Sequence, residues 1–391
     1  MIQQRIVIGE PEAPQQKEKD FSPKKKHTII LLGIVLVVAI VLINNLRQYK
    51  DFTEKSSIQR GDATETGYLG FQGNLLKYSR DGAFYTKYNG ELIWNYTYEM
   101  ADPQMDVCDN YILIYDKKGT QIAILTNTGF KQSIKTSMPI VDANVAGQGT
   151  VAVLMQEEDT GYVQMFNDRG QLLASGELHM ENNGYPVSLD ISQSGEKVIV
   201  SQLDLNGGDI KTSIAFYDFG KEGKDKIDNM IANYSFSNQV FPQVEFLENG
   251  KAVAFGDKEV VVFEDNSKAS IAKEIFVDGQ VKSVFCNGKY FGTICDVTDQ
   301  EGKLIHQMNL YSGNGFQRCQ RKVSGTYSKV EMLPNNEVLL SDGENVSLYT
   351  LYGIKKFAYN FKTGIYKVIP GDSAKRYYLV LDNRIANVRI K

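Results

Sequence analysis

Three histidines set the ceiling on imidazole chemistry: His27 beside a long apolar run, His179 in ELHMEN and His306 in LIHQMN. No two of them have metal-ligand spacing, and neither G-x-S-x-G nor H-E-x-x-H occurs. His179 and His306 therefore read as surface or satisfied structural residues, and no catalytic or metal-binding residue is assigned. Cys108, Cys286, Cys295 and Cys319 are too widely spaced for zinc and contain no C-x-x-C. If Asn287-Gly288 is a two-residue hairpin loop, Cys286 faces Lys289 and Cys295 faces Gln280. Six residues at about 3.3 Å each then hold the two thiols near 20 Å apart, against a limit of about 7 Å between bridged Cα atoms. The cysteines read as small buried hydrophobes with free thiols, suited to an oxidant-poor habitat. LDLNGGD (Leu203 to Asp209) and CDVTDQEG (Cys295 to Gly302) are rich in carboxylates, but neither keeps the D-x-[DN]-x-[DN]-G order of a calcium loop. Asn95, Asn233 and Asn345 stand in N-x-[ST] sequons, which matter only in a eukaryotic secretory pathway.

Chemistry being sparse, address carries more. Thr28 to Ile43 is an uncharged run in which only Thr28 and Gly33 are not strongly apolar, and Asn44 to Leu46 extends it into the range of about 17–25 residues that spans a bilayer. It shows no polar face, and INNLRQYK follows it in place of a small-residue cleavage site. An uncleaved transmembrane helix over 28–46 is expected. Lys24, Lys25 and Lys26 abut the run and place the N-terminus in the cytoplasm by the positive-inside rule. Residues 1–27 then form a disordered cytoplasmic tail, 47–66 a stalk, and 67–391 an extracytoplasmic domain. A fragment lacking residues 1–60 is expected to fold. With 42% apolar residues and a net charge of −4, the chain can bury a large core and offers no basic patch for nucleic acid.

Turn signals punctuate the remainder at Gly73-Asn74, Asp109-Asn110, Gly147 to Gly149, Ser194-Gly195, Asn249-Gly250, Asn287-Gly288, Asn335-Asn336 and Gly371-Asp372. Their spacing of roughly 36 to 55 residues is that of propeller blades. Pro103, Pro139, Pro186 and Pro242, then Gly279, Thr326 and Gly364, keep the same phase a few residues earlier, where a unit's first strand begins. PQMDVCD, YILIYDKKG, TQIAILTNTG and FKQSIKT read as four short strands of one unit. The last unit offers only three, IYKVIP, RYYLVLDN and RIANVRI, which invites a fourth from the N-terminal side to close the ring. The fold class expected is all-β: a propeller of seven or eight four-stranded blades, eight favoured, behind one N-terminal transmembrane helix. DFGKEGKDKIDNMIANYSF is an insertion in the fourth unit, with a short helix expected around Lys226 to Ala232.

IWNYTYEMADP, GYPVSLDISQSGEKVIVS, AFYDFGKEGKDKIDN, FPQVEFLENGKAVAFGD and KSVFCNGKYFG resemble strings of an uncharacterised family of single-pass membrane proteins from clostridia and related Gram-positive bacteria. The resemblance covers nearly all of the chain after the apolar run. It implies a bacterial envelope protein with an extracytoplasmic β-propeller, and no activity. NGELIWNYTY is similar to the strand-end motif of quinoprotein-like propellers, related in architecture to WD40-like ones, whose tryptophan docks onto the neighbouring blade. Such proteins repeat that tryptophan, whereas Trp94 stands alone here, so it implies structural docking and no quinone cofactor. Two functions follow as expectations. One is a membrane-anchored, non-enzymatic scaffold that binds an envelope protein or a cell-wall glycan. The alternative is a glycan-acting enzyme using acidic residues at the propeller channel.

Overall fold

The computed structural model describes residues 30–35 and 47–391, apart from 63, 64, 159, 179–183, 300, 324 and 326. Two compact units are separated between Arg47 and Gln48. In the first, residues 30–35 are helical with exposed apolar side chains. Lys24, Lys25, Lys26, His27 and most of the expected anchor lie outside the described residues. Among the described residues no helix is long and apolar enough to cross a membrane.

The second unit is built from eight sheets of four antiparallel strands each. In chain order the blades span 67–97, 103–135, 140–178, 185–237, 243–276, 280–323 and 329–360, and the eighth combines 365–390 with Phe52–Gln59. Strands are called a to d from the ring axis outward. Each a–b turn falls on one of the eight turn signals of the sequence, so eight of the two expected blade numbers is correct. The turns close tightly because their residues accept positive φ: Gln72 and Gly73 at 45° and 76°, Asp109 at 50°, Asn336 at 63°.

The b strands are near-continuous apolar runs, such as Ile112 to Ile114, Val151 to Met155 and Ala252 to Phe255, because both faces of each blade meet a neighbour. The core is accordingly divided into eight wedges, one per blade junction. Between blades 1 and 2 lie Leu76, Tyr85, Ile112 and Ile114; between 7 and 8, Leu339, Leu348, Tyr377 and Leu379; between 8 and 1, Leu75, Ile369, Val380 and Ile385. Each fully buried Leu or Ile contributes about 1.5–3 kcal/mol, so the wedges are the main force holding the ring. At the closing junction Gly70 lets blade 8 approach, since a Cβ there would stand 2.4 Å from Cγ2 of Ile369.

The expected stalk is corrected by this closure. Phe52–Gln59 is the d strand of blade 8 and pairs antiparallel with Arg384–Ile390. Tyr49 is already buried, and its N–H donates to the Lys356 carbonyl at 2.8 Å. FTEKSSIQ looked like linker because a d strand has one wet face and needs few apolar residues. Phe52 and Ile58 suffice: Phe52 packs against Tyr359 and Phe361 with centroids 5.0 and 5.2 Å apart, and Ile58 joins the wedge between blades 8 and 1. Two smaller corrections follow. The helix expected over Lys226 to Ala232 is a single 3-10 turn at Ile227–Asn229, and Met230 already starts a strand. The hairpin after Cys286 closes one residue later than expected, so that Cys286 opposes Phe291 and Cys295 opposes Val281. All four cysteines are free; Cys295 and Cys319 are buried as small hydrophobes, whereas Cys108 and Cys286, expected to be buried too, are half-buried on the a strands of their blades.

Candidate axial site

The a strands run side by side around the axis, and their polar side chains decide what the channel can do. On blades 2 to 4 each offers a carboxylate to the next blade. Val145 N–H donates to Asp106 Oδ2 at 2.8 Å, Leu189 N–H to Asp142 Oδ2 at 3.0 Å, and Phe246 N–H to Asp190 Oδ2 at 2.5 Å. Inner strands of neighbouring blades do not pair as a sheet, so these N–H groups would otherwise be orphaned at the junction. Asp142 also accepts from Tyr115 Oη at 3.0 Å, and Asp190 from the Ile191 N–H at 2.8 Å. Glu245, next in order on blade 5, differs: it accepts from Gln243 Nε2, within its own strand, at 2.9 Å.

Burial dominates the titration of these acids. Asp106 is pushed up to about 6 and Glu245 to about 7, in each case chiefly by desolvation, with neighbouring carboxylates adding to it. Asp142 and Asp190 are raised for the same first reason, Asp190 strongly and with Glu245 as its main charged neighbour. Backbone N–H donors pull the other way and do not win. The thiols of Cys108 and Cys286 on the same strands are pushed up to about 12 by burial and by this acidic field.

The opposite side of the axis is basic. Lys367 of blade 8 donates to Glu331 Oε1 of blade 7 at 2.5 Å, and Lys329 lies 3.7 Å from Glu331 Oε2. Two adjoining cavities result. One of about 430 Å³ is lined by Asp106, Asp190 and Glu245; the other, of about 590 Å³, reaches from Asp106 and Glu245 to Glu331 and Lys367. The channel is polarised, with buried acids whose pKa values are raised by desolvation facing a lysine-flanked carboxylate.

His306 lies elsewhere. His306 Nδ1 stands 2.6 Å from Asp296 Oδ1 on the neighbouring strand of blade 6, with the Tyr327 ring edge-on at 5.4 Å. His179 is outside the described residues. Trp94, on the d strand of blade 1, stacks on Tyr85 and donates from Nε1 to the Asn127 carbonyl of blade 2 at 3.1 Å. Among the described residues no group of three His, Cys, Asp or Glu could hold a metal ion. Asp299, in the second calcium-like loop, accepts the N–H groups of Glu301 and Lys303. Asn95, Asn233 and Asn345 are exposed on strands of blades 1, 4 and 7.

Sequence reading did not single out the axial acids, yet a signal was present. Asp106, Asp142, Asp190, Glu245 and Glu331 each precede their a–b turn by three to five residues. A charged residue at that phase of a repeat whose flanks are apolar marks the ring axis.

The sequence matches a family of unknown function, DUF5711, over residues 45–390. The chain belongs to that family. A comparison with curated proteins gives no match. Among solved structures, BamB from Moraxella catarrhalis is similar at 12% identity and a TM-score of 0.53, covering 87% of this chain and 100% of that one. Saccharomyces cerevisiae Sqt1 is similar at 10% identity and a TM-score of 0.56, covering 88% and 100%. At such identities the likeness shows the propeller fold alone, and the DUF5711 chain shares it.

Proposed function

We propose that this DUF5711 protein is a membrane-anchored, non-enzymatic scaffold whose ring presents binding surfaces beyond the bilayer to an envelope protein or cell-wall glycan. The observation that carries the scaffold reading is the use made of Asp106, Asp142 and Asp190. Each spends an oxygen on the next blade's main chain, so the acids a channel enzyme would aim at substrate serve the ring instead. The uncharged run over 28–46, with Lys24, Lys25 and Lys26 before it, supports the anchor and an N-terminus in the cytoplasm. The face made by the b–c and d–a connections offers exposed Leu205, Ile210, Phe276 and Leu304 on blades 4 to 6. Such residues on an otherwise polar face suit a protein partner.

One observation favours a second reading. Glu245 shares a cavity with Asp190 and Asp106 and, among the described residues, has no hydrogen bond to the next blade, so it is the group available to protonate a glycosidic oxygen. One experiment separates the two. The full chain and its Glu245→Gln variant are reconstituted in vesicles, offered cell-wall glycan, and followed for both retention and cleavage. Flotation with the vesicles and no cleavage by either chain supports the scaffold. Cleavage lost in Glu245→Gln supports the enzyme, and failure to float overturns the anchor.

A further inference from the structure

The a–b and c–d turns lie on one face of the ring, because each blade's strands alternate in direction and neighbouring turns touch. Gln72 Nε2 donates to the Asp109 carbonyl at 3.0 Å, Glu248 N–H to the Gly288 carbonyl at 2.9 Å, and Asn287 Nδ2 to the Leu333 carbonyl at 3.0 Å. Asn127, in a c–d turn, donates to Gln72 at 2.8 Å. The chain joins the ring on this same face, since Phe52 begins the d strand of blade 8 and opposes Ile390 at the end of its c strand.

Exposed apolar side chains recur on the face at one structural position, in or just after the c–d turn. Leu92 and Ile93 stand there on blade 1, Leu172 and Leu173 on blade 3, Phe316 on blade 6 and Tyr352 on blade 7. The most exposed is Ile227, at 87%, on the long c–d excursion of blade 4. In a ring of eight, blade 4 is diametrically opposite blade 8, where the chain arrives. Scattered surface apolar residues need no explanation, but repetition at one site on one face does. The opposite face carries Asp81, Asp102, Asp209, Asp257 and Asp342 in its connections, a poor match to a bilayer of anionic lipid.

Chain reach narrows the occupant. Tyr49 is fixed in the ring, three residues after Leu46 and six after Ile43, which is about 10 Å and about 20 Å of extended chain. We infer that the a–b/c–d face rests on the lipid surface, gripped at two opposite points: the chain at Tyr49 on blade 8 and the Ile227 excursion on blade 4. The inference rests on the anchored reading proposed above. Lys221, Lys224 and Lys226 in the excursion are balanced by Glu222, Asp225 and Asp228, so apolar insertion and not net charge drives the second grip. The face with Leu205 and Phe276 is left free for a partner.

The test uses the full chain in vesicles of phosphatidylcholine and phosphatidylglycerol carrying a nitroxide-labelled lipid. An environment-sensitive fluorophore is attached in separate samples through Ile227→Cys, Leu172→Cys and Leu205→Cys, in a background in which the four native thiols, Cys108, Cys286, Cys295 and Cys319, are replaced by alanine. Insertion by ~5–10 Å into the headgroup boundary quenches the label at Ile227 several-fold and at Leu172 to a lesser degree, while the label at Leu205 keeps its emission. Equal emission at Ile227 and Leu205 in protein that floats overturns the docking and leaves the anchor standing. Protein that does not float overturns both.

Discussion

Phe52 and Ile390 stand opposite each other as register partners, joining the first strand of the ring to the last. The pairing runs the length of Phe52–Gln59, with one irregularity between Glu54 and Ser56, and Arg384 reinforces it through an ion pair with Glu54 at 3.3 Å. Ring closure therefore depends on residues that precede blade 1. A fragment beginning at Gln48 keeps Tyr49, Phe52 and Ile58 and should unfold in urea as one cooperative transition. A fragment beginning at Gly61 leaves Arg384–Ile390 as an open edge and should lose several kcal/mol, or aggregate through that edge. Equal urea midpoints for the two fragments would contradict the closure.

Asp106 and Glu245 tie stability to pH. An acid whose folded value is raised favours the folded state most when protonated, so its contribution is full below the unfolded value and is lost as pH climbs to the folded one. For Asp106 that window runs from 3.8 to about 6, and for Glu245 from 4.5 to about 7. Each loss is on the order of 3 kcal/mol at most. The fragment from Gln48 should thus be more stable at pH 5 than at pH 8, measured by urea unfolding at both. Glu245→Gln should shrink the difference.

Asp142 separates charge from hydrogen bonding. Asp142→Asn keeps an acceptor for the Leu189 N–H and removes a buried ionisable group, so it should be neutral or stabilising at pH 8. Asp142→Ala leaves that N–H without its partner and should cost about 1–3 kcal/mol. Thermal unfolding of the two variants checks the ordering, and a reversed order would deny the carboxylate its role between blades 3 and 4.

Lys356, Glu337 and Tyr377 form a buried group in which every member is satisfied. Lys356 Nζ donates to Glu337 Oε1, to the Tyr377 hydroxyl at 2.9 Å and to the Ala374 carbonyl at 2.5 Å, while Tyr377 donates to Glu337 Oε2 at 2.6 Å. Removing one charge strands the other. Glu337→Leu should cost about 3–5 kcal/mol, whereas Glu337→Leu with Lys356→Met should recover most of it. A double variant as unstable as the single one would show that the group contributes by packing alone.

Trp94 supplies a spectroscopic handle on one junction. As the only tryptophan, it reports blade 1 against blade 2. Half-buried and bonded to the Asn127 carbonyl, it should red-shift in step with the loss of far-ultraviolet β signal on unfolding. Trp94→Phe should cost about 1 kcal/mol through the lost hydrogen bond.

The blade pattern was legible because turns such as Asp109-Asn110 and Asn249-Gly250 need residues that tolerate positive φ, and that need shows in the residue types. Buried b strands such as Tyr111–Asp116 were legible for the same kind of reason, since two packed faces force an apolar run. Phe52–Gln59 was not, because a strand with one wet face and two anchoring side chains is written like a linker. The axial acids were half legible. Their phase within the repeat is plain in the sequence, but the partner of Asp190 is a main-chain N–H of Phe246, and no residue type records which N–H a neighbouring blade leaves open.

The most direct measurement is electron cryomicroscopy of the full chain in lipid nanodiscs, read for the gap between ring and bilayer. With Tyr49 fixed in blade 8 and six residues back to Ile43, the a–b/c–d face should lie within about 20 Å of the hydrocarbon edge. A ring standing clear of the disc on an extended stem, or present only in the lipid-free fraction, would contradict a scaffold held directly at the membrane.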